Sequence, residues 1–151
     1  LPTTVKLDIL EIEPHLKKQI WKMKQDRTLN NIKKFGRTDL YKIRMLKKLK
    51  EEGYKLGCVT NSIRRTTTQM LKVTGQFELF DEVITNEDVE NNKPSPDCYL
   101  LAFQKLGIPR EEAVIVEDSP KGRQSAHASG AKVIEVADVY DVTYDFIRNK
   151  I

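Results

Sequence analysis

Four side chains in this sequence carry recognisable chemistry: the hydroxyl of Thr60, the ammonium of Lys93 and the carboxylates of Glu117 and Asp118. Magnesium favours hard oxygen ligands, usually one or two carboxylates together with water and a substrate phosphate. Asp118 is then the natural metal ligand, with Glu117 beside it in a supporting place. Phosphoryl transfer is catalysed mainly by positioning and electrostatics, and Lys93 suits the neutralisation of charge on a phosphate oxygen and on an attacking carboxylate. Thr60, with the backbone N–H of Asn61, suits hydrogen bonding to the transferring phosphate. These are the parts of a magnesium-assisted phosphoryl-transfer site.

Each residue also has a plainer interpretation. A threonine at a strand end can satisfy the backbone, and a lysine between Asn92 and Pro94 can be a solvated loop charge. Glu117 can form a structural ion pair, and the acid pair as a whole can cap a helix beginning near Pro120. Specificity comes from the order: a hydroxyl, then a lysine, then two acids, each following a strand.

The elements that must position them are legible from composition. Ala113 to Val116 are apolar and are followed at once by two carboxylates, the pattern of a buried parallel strand whose carboxyl end opens into a polar crevice. A helix from Pro120 closed by Gly130 and a strand over 131–136 follow. Upstream, Tyr54 to Val59 reads as a strand leading into Thr60, Asn61 and Ser62, 65–73 as a helix, 77–80 as a turn and Glu82 to Thr85 as a strand. A loop over 86–96 carries Lys93 and leads to a helix from Asp97 to Leu106, ended by Gly107. Asp39 is a good N-cap for a helix reaching Glu52, with Leu40, Ile43, Leu46 and Leu49 on one face and Gly53 after it. Tyr144 to Ile151 suits a terminal helix. Alternation of helices and short apolar strands from residue 39 onward predicts an α/β fold, a doubly wound, Rossmann-like parallel sheet with helices on both faces.

The first third differs. Leu16, Ile20, Met23, Leu29, Ile32 and Phe35 make a helical stripe from Pro14 to Phe35, with Trp21 beside it. Residues 1–13 alternate weakly and fit either a short strand or a ragged helix entry. The chain of 151 residues has a net charge of +4, but the basic excess is local: residues 1–56 hold 15 Lys and Arg against 7 acids, and residues 57–151 hold 11 against 15. The lysines are scattered at helical period without interleaved aromatics, so solvated helix faces are expected and no nucleic-acid partner. No run is long and apolar enough for a membrane span, and no membrane partner is expected. Cys58 and Cys98 lack metal-site or disulfide spacing, which points to a reducing, cytoplasmic setting. A start at Leu1 rather than Met reads as a processed, cleaved or truncated product.

From about Ile43 to Val136 the sequence resembles the haloacid dehalogenase superfamily of phosphatases and phosphomutases. LGCVTNS resembles its second motif, NKPSPDCY its third and VIVEDSPKG its fourth, in the form of the branch holding β-phosphoglucomutase and small sugar-phosphate phosphatases. The resemblance implies that Thr60 binds phosphate, Lys93 stabilises charge, and Asp118 holds Mg2+ with Glu117 beside it. It implies a small phosphorylated metabolite as substrate, and that residues 1–36 are the later part of a helical cap on an α/β core of residues 37–151.

One motif of the family is missing. Its first, DxD, supplies the aspartate nucleophile and a general acid/base from a strand central to the sheet. The nearest candidate, Asp8 in VKLDILE, has Leu10 in the place of the second acid. Without that strand the sheet is expected to have a gap between the strands ending at Thr60 and Asp118. Two alternatives stand: an enzyme whose nucleophile segment lies outside these residues, on a separate N-terminal segment that completes the sheet, or a nucleophile-less protein that binds phosphate or a partner without turnover.

Overall fold

The computed structural model describes residues 3–151, so Leu1 and the inference drawn from it lie outside the described residues. The chain forms two compact units, one ending at Arg37 and the other running Thr38–Ile151.

In the first unit, α1 (Thr3–Ile9) is followed by α2 (Pro14–Phe35). The ambiguous opening segment is therefore helical. Pro14 starts α2, where its missing N–H would have had no helical partner. Of the apolar stripe on α2, Leu29 and Ile32 are buried while Leu16, Ile20, Met23 and Phe35 are exposed. Asp8 sits on α1 in a solvent-exposed ion pair with Lys17, at 2.6 Å. It does not end a strand, so VKLDILE is not a first motif.

The second unit runs α3 (Leu40–Glu51), β1 (Gly57–Val59), α4 (Arg64–Val73), β2 (Glu82–Ile84), α5 (Asp97–Leu106), β3 (Val114–Glu117), α6 (Pro120–Ala128), β4 (Lys132–Glu135) and α7 (Tyr144–Arg148). Asp39 caps α3 by accepting from Lys42 N, and Gly107 takes the left-handed conformation (φ +63°) that ends α5. The strand β1 starts later than Tyr54 because its approach is held otherwise. The Leu56 N–H donates to the Asp81 carboxylate at 2.7 Å and the Leu56 carbonyl accepts from Asp81 N at 2.8 Å.

Among the described residues all strand pairing is parallel, as in doubly wound α/β proteins, but it divides into two separate pairs. β1 pairs with β2, Val59 opposite Ile84; β3 pairs with β4, Glu117 opposite Glu135. One apolar cluster nevertheless spans both pairs: Ile84 from β2, Ile115 from β3, Ala126 from α6, and Cys98, Tyr99, Ala102 and Phe103 from α5. The buried face of α5 recurs at helical spacing, which is how one helix serves both pairs.

The Thr60 N–H donates to the Ile84 carbonyl at 2.9 Å. Along a strand, successive residues turn their N–H and C=O to opposite edges. The Val59 carbonyl therefore points away from β2, toward the edge that no strand covers among the described residues.

Candidate active site

Lys93 lies on the loop between β2 and α5, yet it is only 8% exposed. The alternative of a solvated loop charge is thereby overturned. Its three N–H bonds are all used. Nζ donates to the Val59 carbonyl at 3.1 Å and to the Tyr99 hydroxyl at 2.8 Å, and it forms an ion pair with Glu117 Oε1. The lysine thus reaches from the end of β1 to the end of β3. Its backbone is fixed by the Asn61 amide, whose Oδ1 accepts from Lys93 N at 3.3 Å and whose Nδ2 donates to Lys93 O at 3.5 Å.

Glu117 is saturated on both oxygens. Oε1 accepts from Lys93 and, at 2.7 Å, from the Tyr99 hydroxyl; Oε2 accepts from the Ser119 N–H at 3.3 Å and from the Ser119 hydroxyl at 3.2 Å. Burial alone would push its carboxyl up, but the hydrogen bonds from Lys93 and Tyr99 and the lysine charge outweigh it and hold the group below the ordinary glutamate value. Tyr99 moves the opposite way: burial raises its phenol strongly, and the neighbouring Glu117 carboxylate raises it further. Burial also pushes the Cys58 thiol up, against the nearby Lys93 charge.

The carboxylate needs room. A Cβ on Gly122, in the first turn of α6, would come within 2.0 Å of Glu117 Oε2. Only glycine lets the helix start this close to the acid. The cap of α6 is Ser119, which accepts from Gly122 N at 3.1 Å with Pro120 at the next position. Capping is therefore not what occupies Glu117 and Asp118.

Thr60 and Asp118 are a different kind of residue. Thr60 Oγ1 accepts from Ser62 N at 3.1 Å, and its O–H is left to donate. Asp118 is exposed, and its carboxylate makes no hydrogen bond or ion pair among the described residues. The structure joins Lys93, Asn61 and Glu117 through direct contacts and sets Thr60 and Asp118 one residue past the ends of β1 and β3. Tyr99, Ser119 and Gly122 crowd around Glu117, and the motif pattern did not single them out. A tyrosine on the buried face of α5 was the available clue, since a buried phenol needs a partner.

Whether magnesium fits can be tested on these donors. Glu117 has no oxygen that is not already hydrogen-bonded, whereas Asp118 presents a carboxylate to solvent. Among the described residues no cluster of three or more acids, histidines or cysteines could hold a metal. The donor set thus supplies one protein carboxylate, which fits magnesium in the manner that leaves its other positions to water and phosphate.

Thr60 and the acid pair thus stand at the ends of parallel strands of an α/β unit, with the buried Lys93 on a loop reaching between them. The chain belongs to the haloacid dehalogenase-like hydrolase family, whose model matches residues 5–136. It is similar to pyrophosphatase PpaX of Bacillus pumilus, 44% identical over 92 residues that make up 61% of this chain and 43% of that protein. PpaX of Bacillus velezensis is 39% identical over the same extent. The chain spans less than half the length of these curated relatives. Among solved structures, CbbY of Rhodobacter sphaeroides in complex with phosphate matches with a TM-score of 0.75 at 26% identity, covering 85% of this chain and 59% of that one. A β-phosphoglucomutase of Clostridium difficile matches with a TM-score of 0.78 over 95% of this chain and 72% of its own, at 16% identity, which speaks for the fold alone.

Proposed function

We propose that this chain carries the phosphate-binding and charge-stabilising part of a magnesium-dependent phosphatase or phosphomutase that acts on a small phosphorylated metabolite. The observation that carries this is Lys93, a buried ammonium spanning the ends of two strand pairs that do not bond to each other. In this assignment Thr60 and the Asn61 N–H hold the transferring phosphate. Lys93 neutralises charge as it builds, and Asp118 would hold the magnesium ion, whose role is to offset phosphate charge. Glu117 acts by fixing Lys93 and leaves the metal to Asp118.

The aspartate nucleophile that the family uses to form a phosphoaspartyl intermediate has no counterpart among these 151 residues. The edge of β1 that no strand covers among the described residues suits a further parallel strand, and a segment bearing DxD placed there would set its acids beside Thr60, Lys93 and Asp118. The phosphatase relatives and the phosphate-bound CbbY structure support phosphate as the shared ligand group.

The test compares the 151-residue chain with the chain extended at its amino end by an apolar segment bearing DxD. The extended form is expected to hydrolyse an aryl phosphate with magnesium, and the 151-residue chain to bind phosphate without turnover. Magnesium-dependent turnover by the purified 151-residue chain would overturn the assignment of the nucleophile to another segment.

A further inference from the structure

Tyr99 lies outside the phosphate-handling set proposed above, yet it touches two of that set's central groups. Its hydroxyl accepts from Lys93 Nζ at 2.8 Å and donates to Glu117 Oε1 at 2.7 Å, closing a triangle with the ion pair between Lys93 and Glu117. The lysine ammonium also stands 4.7 Å from the centre of the Tyr99 ring, within reach of a favourable cation–π contact. Tyr99 itself is 4% exposed, on the face of α5 that builds the shared core. The helix that joins the two strand pairs is thus also the one that holds the lysine.

The consequence lies in how three N–H bonds are distributed. A buried ammonium with two acceptors on one carboxylate could rotate or pair through both oxygens. Here Oε2 is already taken by the Ser119 N–H and hydroxyl, and Oε1 is shared with Tyr99. One Lys93 N–H goes to Glu117 and one to Tyr99, which leaves the third aimed at the Val59 carbonyl. Thr60 follows Val59, so this third N–H faces the strand end where the phosphate hydroxyl partner sits.

We infer that Tyr99 is a positioning residue for Lys93, its hydroxyl holding the ammonium between Glu117 and the Val59 carbonyl so that its charge stands beside the strand end where Thr60 would meet phosphate. The inference rests on the assignment of Lys93 to phosphate stabilisation, but its test does not depend on turnover. In the 151-residue chain labelled with 15N, Lys93 is expected to give a slowly exchanging ammonium signal, with a nuclear Overhauser contact to a protected Tyr99 hydroxyl proton. Tyr99→Phe keeps the ring and removes the hydroxyl. It is expected to speed exchange of the Lys93 ammonium hydrogens by about tenfold, the scale of one lost hydrogen bond to a charged group. The backbone amide of Phe103 on the same helix is expected to stay as protected as before, which a general loosening of the core would not allow. Inorganic phosphate, titrated with magnesium present, is expected to bind the variant several-fold more weakly.

Unchanged Lys93 exchange in Tyr99→Phe overturns the inference. So does a Tyr99 hydroxyl proton in the unaltered chain that exchanges with bulk water, an observation that needs no variant to fold. If the unaltered chain binds no phosphate while Tyr99→Phe still frees the ammonium, the proposed function fails and the positioning role of Tyr99 stands.

Discussion

The two sides of the candidate site are built on opposite principles. Lys93, Glu117 and Tyr99 are buried, share three short contacts and have no spare donor or acceptor on the ion pair. Thr60 and Asp118 sit one residue further along their strands, with a free hydroxyl hydrogen on one and an exposed carboxylate on the other. The locked side fixes a charge in place, and the open side leaves a hydroxyl hydrogen and a carboxylate without partners among the described residues. Substitutions on the first should be read in folding, and those on the second in binding.

The largest effect is expected at Glu117. Glu117→Ala leaves the Lys93 ammonium buried without its carboxylate, and removing one partner of a buried pair typically costs about 3–5 kcal/mol. Urea unfolding of the variant would measure it. A loss under about 1 kcal/mol would mean that Lys93 can leave its site without cost, and the contrast between the two sides would collapse. Next comes Gly122→Ala, where the new Cβ meets the Glu117 carboxylate at 2.0 Å in a place where little can give. Displacing the acid from Ser119 should cost about 1–3 kcal/mol, the range for overpacking or for stranding a buried polar group.

The open side was far more legible in the sequence than the locked side. Thr60 and Asp118 follow short apolar runs, and a parallel α/β fold places its chemistry at such strand ends. The bounds of α5 follow from Asp97 at its start and Gly107 at its end, and both were readable. The burial of Lys93 was not. Its carboxylate partner lies 24 residues away, so only the packing of β3 against α5 brings them together. Asp81 shortened β1 in the same non-local way, by taking the Leu56 N–H that a strand would have used. The opening segment stayed open between strand and helix for a different reason: Val5, Leu7 and Ile9 alternate as a strand does, but they lie on α1, where of the three only Leu7 is buried.

Acid should separate the sides further. The Glu117 carboxyl is held below its ordinary value when folded, so the unfolded chain takes up the proton first. Its contribution is fully present above the unfolded glutamate value of about 4.3 and is lost as pH falls through the lower folded value. Asp88 acts in the same sense. Burial raises its carboxyl, but bonds from the Thr85 N–H and hydroxyl and the Arg64 charge bring it below the ordinary value. Unfolding midpoints measured from pH 7 to pH 3 should therefore fall, and Glu117→Gln should remove part of that fall while leaving the part due to Asp88. An identical pH profile in the variant would show that the locked side does not hold its acid in the charged form.

The smallest effect on folding, and the sharpest discrimination, is expected at Asp118. Its carboxylate is exposed and makes no ion pair or hydrogen bond among the described residues, so Asp118→Asn removes no contact that the fold uses. Stability should stay within about 0.5 kcal/mol of the unaltered chain, as for most surface changes. Magnesium binding, followed by calorimetric titration with inorganic phosphate present, should weaken sharply, because the amide keeps the shape but loses the negative charge that a hard cation requires. A variant that unfolded early would place Asp118 on the locked side. One that folded normally and bound magnesium as tightly as before would remove it from the metal altogether, since Glu117, already saturated by Lys93, Tyr99 and Ser119, is not placed to substitute for it.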